Sequence, residues 1–202
     1  EAAGVPFALY TGVTSNPKAE EVMAGVAVYE SEHCNAIVAV GGGSPIDCAK
    51  GIGIVSSNHK HILLFEGVDL VDVPMPPLIC VPTTGGTSAD VSQFAIISNP
   101  LERVKIAIIS KSVVPDLALI DPATLTTMSP YLTACTGLDA LTHAIEAYVS
   151  TAHSPMTDLH AIEAIRLVSA NLIPSIENSG DLEFRTKVMQ GSLQAGLAFS
   201  NA

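Results

Sequence analysis

NAIVAVGGGSPIDCAK, residues 35 to 50, decides the fold of this 202-residue chain. Its apolar run, Ala36 to Val40, lacks the polar alternation of a strand with one wet face. It predicts a strand buried on both faces, as in a parallel sheet. Gly41, Gly42 and Gly43 then turn the chain into a helix that takes Pro45 in its first turn and runs through Ile46, Ala49, Lys50 and Ile54 to the polar SSNH at 56 to 59.

The same alternation continues on either side. PFALYTG (6 to 12) reads as a short strand, and 17 to 32 as a helix with Val22, Val26 and Tyr29 on one face. Residues 66 to 77 are loop-like, with three prolines. LICVPT (78 to 83) is a second buried strand, residues 94 to 98 and 104 to 110 form a hairpin through NPLER, and LALID (117 to 121) is a further strand. After Pro130 the character changes: 131 to 150, 155 to 171 and 182 to 201 all carry helical periodicity. The expected architecture is α/β, a mostly parallel sheet covered on both faces over residues 1–125, followed by an all-helical domain from 126–202.

Composition narrows the partners. The chain is 48% hydrophobic and 14% charged, and its net charge of −11 excludes the basic surface that nucleic acid or an anionic membrane requires. A small molecule is the expected ligand. Cys34, Cys48, Cys80 and Cys135 show no C-x-x-C spacing and read as buried free thiols in a reducing cytoplasm. No apolar run reaches the length of a transmembrane helix and no signal peptide is visible, so neither is expected. The first residue is Glu1 rather than Met, which leads us to expect a preceding segment.

Two glycine-bearing turns carry the ligand signal. At Gly41 to Ser44 the backbone can approach a ligand closely, and the helix that follows aims unpaired N–H groups and its positive dipole end at it, as a phosphate needs. The pattern is neither G-x-G-x-x-G nor a P-loop, and a purely structural turn is the competing reading. PTTGGTSAD (82 to 90) also follows a buried strand, with Thr83, Thr84, Thr87 and Ser88 around two glycines. Ligands of parallel sheets sit beyond the carboxyl ends of the strands, where both turns fall; a hydroxyl-rich cap is the alternative. Lys105, a charge inside VKIAII, is either a contact to cofactor phosphate or ribose or an edge-strand lysine opposing aggregation.

In GLDALTHAIE (137 to 146), Asp139 and His143 stand four apart and share one helical face. Together they offer an oxygen and a nitrogen to a divalent metal such as Zn²⁺ or Fe²⁺. The alternatives are an Asp–His hydrogen bond, or Asp139 compensating the dipole of a helix that begins near Thr136-Gly137. Glu146 is a further candidate ligand or a solvated acid. His153 and His160 read as surface or packing residues, and His33, His59 and His61 are assigned no chemistry.

Taken together, GGGSPIDCAK (41 to 50), PTTGGTSAD (82 to 90), DPATLTTMSP (121 to 130) and TGLDALTHAIEAYVS (136 to 150) resemble the iron-containing, group III alcohol dehydrogenase family over essentially the whole chain. The resemblance implies a Rossmann-like dinucleotide-binding domain and an all-helical metal-binding domain, with NAD or NADP and a metal in a cleft between them. It implies Asp139 and His143 as two of four ligands to Fe²⁺, or Zn²⁺ in some relatives, and as the catalytic pair acting through that metal. It sets Gly42, Gly43 and Ser44 at the pyrophosphate with Asp47 just behind, and Thr83, Thr84 and Thr87 near ribose and nicotinamide. Asn16, Phe94, Lys105 and Leu119 would line the rest of the cofactor site. The implied reaction is hydride transfer between a primary or secondary alcohol, or its aldehyde or ketone, and NAD(P), in a cytoplasmic homo-oligomer.

The family's other two ligands are histidines on later helices, and its acidic NAD-selecting position follows an earlier strand; both are expected outside these 202 residues. The chain alone is therefore expected to show little or no dehydrogenase activity. Competing readings are a glycerol dehydrogenase-like or dehydroquinate synthase-like member of the superfamily, or a nucleotide-binding module without chemistry.

Overall fold

The computed structural model describes residues 4–202. In chain order its elements are α1 (Ala19–Ser31), β1 (Ile37–Gly41), α2 (Gly43–Asn58), β2 (Gly67–Val68), β3 (Leu78–Pro82), β4 (Phe94–Asn99), β5 (Val104–Ile109), β6 (Leu117–Ala118), α3 (Pro130–Val149), α4 (Pro155–Glu177) and α5 (Leu182–Phe199). One sheet has the order β1-β3-β6 and the other β2-β5-β4. In the first, Ile37 donates to Pro77 and Thr83 to Gly41, while Asp116 and Leu119 donate to Leu78 and Cys80. Residue numbers rise together in each pair, which makes that sheet parallel. The expected hairpin is present, with Phe94 opposite Ile109 and Asn99 opposite Val104, and β2 joins β5 in parallel at Ile108 and Ile109.

The fold class is α/β as expected, with four departures in detail before residue 126. Residues 4–16 are irregular, so no strand forms over 6 to 12. A strand needs a neighbour for its N–H and C=O groups; here Phe7 and Leu9 stay exposed and Tyr10 fixes the segment by donating to the Glu21 carbonyl at 2.7 Å. The loop-like stretch from 66 to 77 contains β2. The strand expected over 117 to 121 contracts to two residues. The fourth concerns β1, buried on one side only: Ala39 is 5% exposed but Val38 and Val40 are 61% and 62% exposed. An apolar run signals compatibility with burial and does not itself supply the covering layer.

The chain divides into two compact units. The first comprises residues through Ala39, Ser44–Ile79 and Gln93–Leu117; the second comprises Val40–Gly43, Cys80–Ser92 and Ala118–Ala202. In the first, α1 buries Val22 and Val26 against Ile52, Ile54 and Val55 of α2 and Ala95, Ile97, Ile106 and Ile108 of the hairpin. In the second, three long helices pack through small residues. Ala140 and Ala144 of α3 meet Ala164 and Val168 of α4 and Ala195 of α5, and Ala147 meets Ala161 and Ala198. Such stripes let helix backbones approach closely.

Helix starts follow capping chemistry: Ser129, Ser154 and Asp181 accept from the N–H groups of Leu132, Thr157 and Glu183. α4 runs six residues beyond the expected 171, through Pro174. Proline removes one backbone N–H, and burial of Leu172 beside it offsets that loss. No disulfide joins the cysteines; Cys48 and Cys80 are buried as expected, but Cys34 is only half-buried and Cys135 is exposed. Among the described residues no helix is long and apolar enough to cross a membrane.

Candidate functional site

The second unit holds the glycine turn and the threonine loop together. Thr83 donates to the Gly41 carbonyl at 2.9 Å, extending the β1–β3 ladder into the loops. A Cβ on Gly42 would lie 3.1 Å from Thr84 Cγ2, and one on Gly43 would lie 2.8 Å from Thr87 Oγ1. The two turns therefore meet closely, at Gly43 nearer than a Cβ could come without Thr87 shifting, and α2 begins there with no acidic residue in its first turn. The free N–H groups and the positive dipole end favour an anion.

The threonine loop is held from behind. A Cβ on Gly86 would lie 2.7 Å from Thr136 Cβ on α3. Ser88, buried and in the left-handed region at φ 52, donates to the Ser192 carbonyl of α5 at 2.7 Å. Thr83 and Thr84 are half-buried and Thr87 is exposed. Leu119 is exposed, its N–H bonded to Cys80.

The first unit holds five more candidates: Asn16, Ser44, Asp47, Phe94 and Lys105. Lys105 Nζ donates to Asn16 Oδ1 at 2.7 Å, and the Asn16 N–H donates to Ser44 Oγ at 3.1 Å. Asn16 adopts φ 57, which points its N–H and side chain to opposite partners. β5 is paired with β4 along its length but with β2 only at Ile108 and Ile109, so Lys105 sits where one flank of the strand is open. Asp47 accepts the Ile96 N–H, and burial pushes its carboxyl up to about 6 against the opposing pull of Lys50 and of that hydrogen bond. Phe94 is half-buried, and its carbonyl takes a 2.8 Å hydrogen bond from Lys50 Nζ. Lys50 itself is fully buried. The sequence reading counted it among the helical positions and gave it no chemistry, although a lone cation in CAKGIGIV was the available signal.

On α3, Asp139 Oδ1 and His143 Nε2 stand 3.9 Å apart. That is too long for a hydrogen bond, so the intrahelical bond weighed as an alternative does not form. The helix begins at Pro130, which puts Asp139 past its second turn and removes the dipole-compensation reading, an effect confined to the first turn. Two donors of one tetrahedral ion lie about 3.4 Å apart, within a small side-chain rotation of the observed pair. His143 Nδ1 is buried without a hydrogen-bond partner, and the ring packs on Phe199 at 4.6 Å between centroids. The pair fits two positions of a divalent ion. Among the described residues no group of three His, Cys, Asp or Glu side chains could hold a metal, and Glu146 is exposed. His153 pairs with Asp158 and His160 with Gln194, in the surface and packing roles expected.

Comparison with known proteins bears directly on this arrangement. The family profile described as iron-containing alcohol dehydrogenase matches residues 1–122, and that described as the Fe-containing alcohol dehydrogenase family, C-terminal, matches residues 133–202. The chain belongs to the iron-containing alcohol dehydrogenase family. It is 41% identical over 200 residues to 1,3-propanediol dehydrogenase of Citrobacter freundii, covering 99% of this chain and 52% of that protein. The solved structure of a 1,3-propanediol oxidoreductase superposes with a TM-score of 0.97 at 40% identity, over 99% of this chain and 52% of that one. Sulfoacetaldehyde reductase from Bifidobacterium kashiwanohense, solved in complex with NAD⁺, gives 0.88 at 33% identity, over 95% and 51%. The chain thus spans about half the length of the family members it matches.

Proposed function

We propose that this chain supplies the dinucleotide-binding residues and two metal ligands of an NAD(P)-dependent alcohol dehydrogenase. What supports the reading most directly is the meeting of Asn16, Ser44 and Lys105 in one hydrogen-bonded group, although Asn16 and Lys105 lie 89 positions apart. The first turn of α2, with Gly42, Gly43 and Ser44, faces the pyrophosphate with N–H groups, and Lys105 adds a cation. Thr83, Thr84 and Thr87 hydrogen-bond ribose and carboxamide, Asp47 holds the turn from behind, and Phe94 and Leu119 exclude water. Fe²⁺, or Zn²⁺ in its stead, held by Asp139 and His143 with further donors, supplies a Lewis acid for the substrate oxygen while NAD or NADP carries the hydride. In domain terms, residues 1–125 form the dinucleotide-binding part and 126–202 the beginning of the helical metal-binding part. The substrate class is a small primary or secondary alcohol or its carbonyl partner, acted on in the cytoplasm by a homo-oligomer.

A second reading, a nucleotide-binding module without chemistry, is favoured by one observation: the described side chains bring only two metal donors together. NADH and NADPH fluorescence titrations test the shared part. Saturable binding is expected, with Lys105→Ala weakening it about 10- to 100-fold, since a charge-assisted hydrogen bond contributes about 1.5–3 kcal/mol. No binding of either nucleotide refutes both readings.

A further inference from the structure

β4 lies at the edge of its sheet, so one row of its N–H and C=O groups faces away from β5. Such a row is normally left to solvent or covered. Here it is completed by side chains and by a loop. The Phe94 carbonyl accepts from Lys50 Nζ at 2.8 Å, the Ile96 N–H donates to the Asp47 carboxylate, and the Ser98 N–H donates to the Pro17 carbonyl at 2.8 Å. Residues 94, 96 and 98 alternate onto this one edge, as strand geometry requires.

The contacts close into a ring. From Pro17 the chain steps back to Asn16, whose carbonyl accepts from Ser98 Oγ at 3.3 Å, whose Oδ1 accepts from Lys105, and whose N–H donates to Ser44 Oγ. Ser44 is in the first turn of α2, and Asp47 and Lys50 follow one and two turns later on the same helix. The start of α2 is therefore fastened to the hairpin at two levels.

We propose that Asp47 and Lys50 are a positioning pair: by extending the open edge of β4 they fix the first turn of α2, and hence Ser44, at a set spacing from Asn16 and Lys105. Burial carries weight in this argument. Lys50 is fully enclosed, so it cannot touch a cofactor; it acts through the strand it holds. A buried lysine is costly to desolvate and serves poorly as mere filling. The inference rests on the cofactor reading for its consequence, and on the ring alone for its geometry.

Two measurements separate these. The first is amide exchange at Ile96, read by NMR without nucleotide. Asp47→Ala should speed it at least tenfold relative to Ala95 and Ile97, whose groups face β5; unchanged exchange overturns the pairing whether or not NADH binds. The second is NADH affinity against pH in the wild type, Asp47→Asn and Lys50→Met. The groups acting on Asp47 are Lys50 and the Ile96 N–H, with the Cys48 thiol beside it.

Wild-type affinity should fall several-fold as pH drops through about 6. Asp47→Asn should give the low-pH affinity at every pH. Lys50→Met should weaken binding about tenfold and move the midpoint upward, because it removes the cation that favours the carboxylate. A purely structural lysine would lower affinity equally at all pH with the midpoint unmoved, and that result overturns the proposal. Should the wild type bind no NADH while Ile96 responds as described, the cofactor reading fails and the clamp stands.

Discussion

Gly196→Ala is the sharpest probe of how the threonine loop is held. A Cβ at this position of α5 would overlap Ser88 Cβ and lie 2.9 Å from both Ser88 Oγ and Val91 Cγ2. Ser88 cannot yield by rotating a side chain, because the obstructing atom is its own Cβ and its backbone is held at φ 52. The helix and the loop must separate. Overpacking of this kind costs about 1–3 kcal/mol, and losing the buried bond from Ser88 to the Ser192 carbonyl adds about 1 kcal/mol. Alanine in place of glycine within a helix returns about 1 kcal/mol. The net loss of about 1–3 kcal/mol lowers the melting temperature of a chain this size by about 2–12 °C. Differential scanning calorimetry reads it directly. Gly180→Ala, with nothing within 4 Å of its Cβ, is the control and should be neutral or slightly stabilising. In the double variant Ser88→Gly with Gly196→Ala, the obstructing Cβ is gone and most of the loss should be recovered. Equal melting of Gly196→Ala and Gly180→Ala would refute the close approach.

Two further outcomes follow from buried charges. Arg185 is fully buried, donating from Nε to the Ser179 carbonyl at 3.0 Å and from Nη1 to Thr133 Oγ1 at 2.8 Å, with Nη2 unpartnered. Both Arg185→Met and Arg185→Lys should destabilise by about 2–4 kcal/mol, since neither reaches both acceptors; a denaturant midpoint unchanged in both variants contradicts this. For Asp47, the folded carboxyl is raised from 3.8 to about 6. The folded state therefore holds the proton more tightly than the unfolded chain, and its stability falls as pH rises from about 4 to about 6, by up to ~3 kcal/mol. Asp47→Asn should lose that component of the slope, checked by urea unfolding at pH 4.5 and 7.

Local chemistry made much of the fold legible. The strand, glycine turn and helix around Gly41 to Ser44, the hairpin through NPLER and the three terminal helices all carry their signals within a few residues. Asp139 and His143 were readable because four-residue spacing on a helix is itself a geometric statement. What stayed hidden depends on neighbours distant in sequence. An irregular 6 to 12 and the open side of Val38 and Val40 depend on what lies beside those segments, which an apolar run does not encode. The run of α4 beyond 171 stayed hidden because the burial of Leu172 that carries it through Pro174 is tertiary. Nothing near Gly86 or Gly196 announces contact with Thr136 or Ser88. Lys50 appeared as one more helical residue because its partner, the Phe94 carbonyl, is 44 positions away.

The central proposal is that α3 carries two ligands of a divalent metal, and a Co²⁺ or Fe²⁺ titration followed by NMR tests it most directly. A two-donor site binds weakly, so the readout is local: the signals of Asp139 and His143 should broaden first, and Asp139→Ala should weaken the response at least tenfold while leaving NADH affinity unchanged. Broadening that begins elsewhere on the chain, or that persists undiminished in Asp139→Ala, would contradict the account.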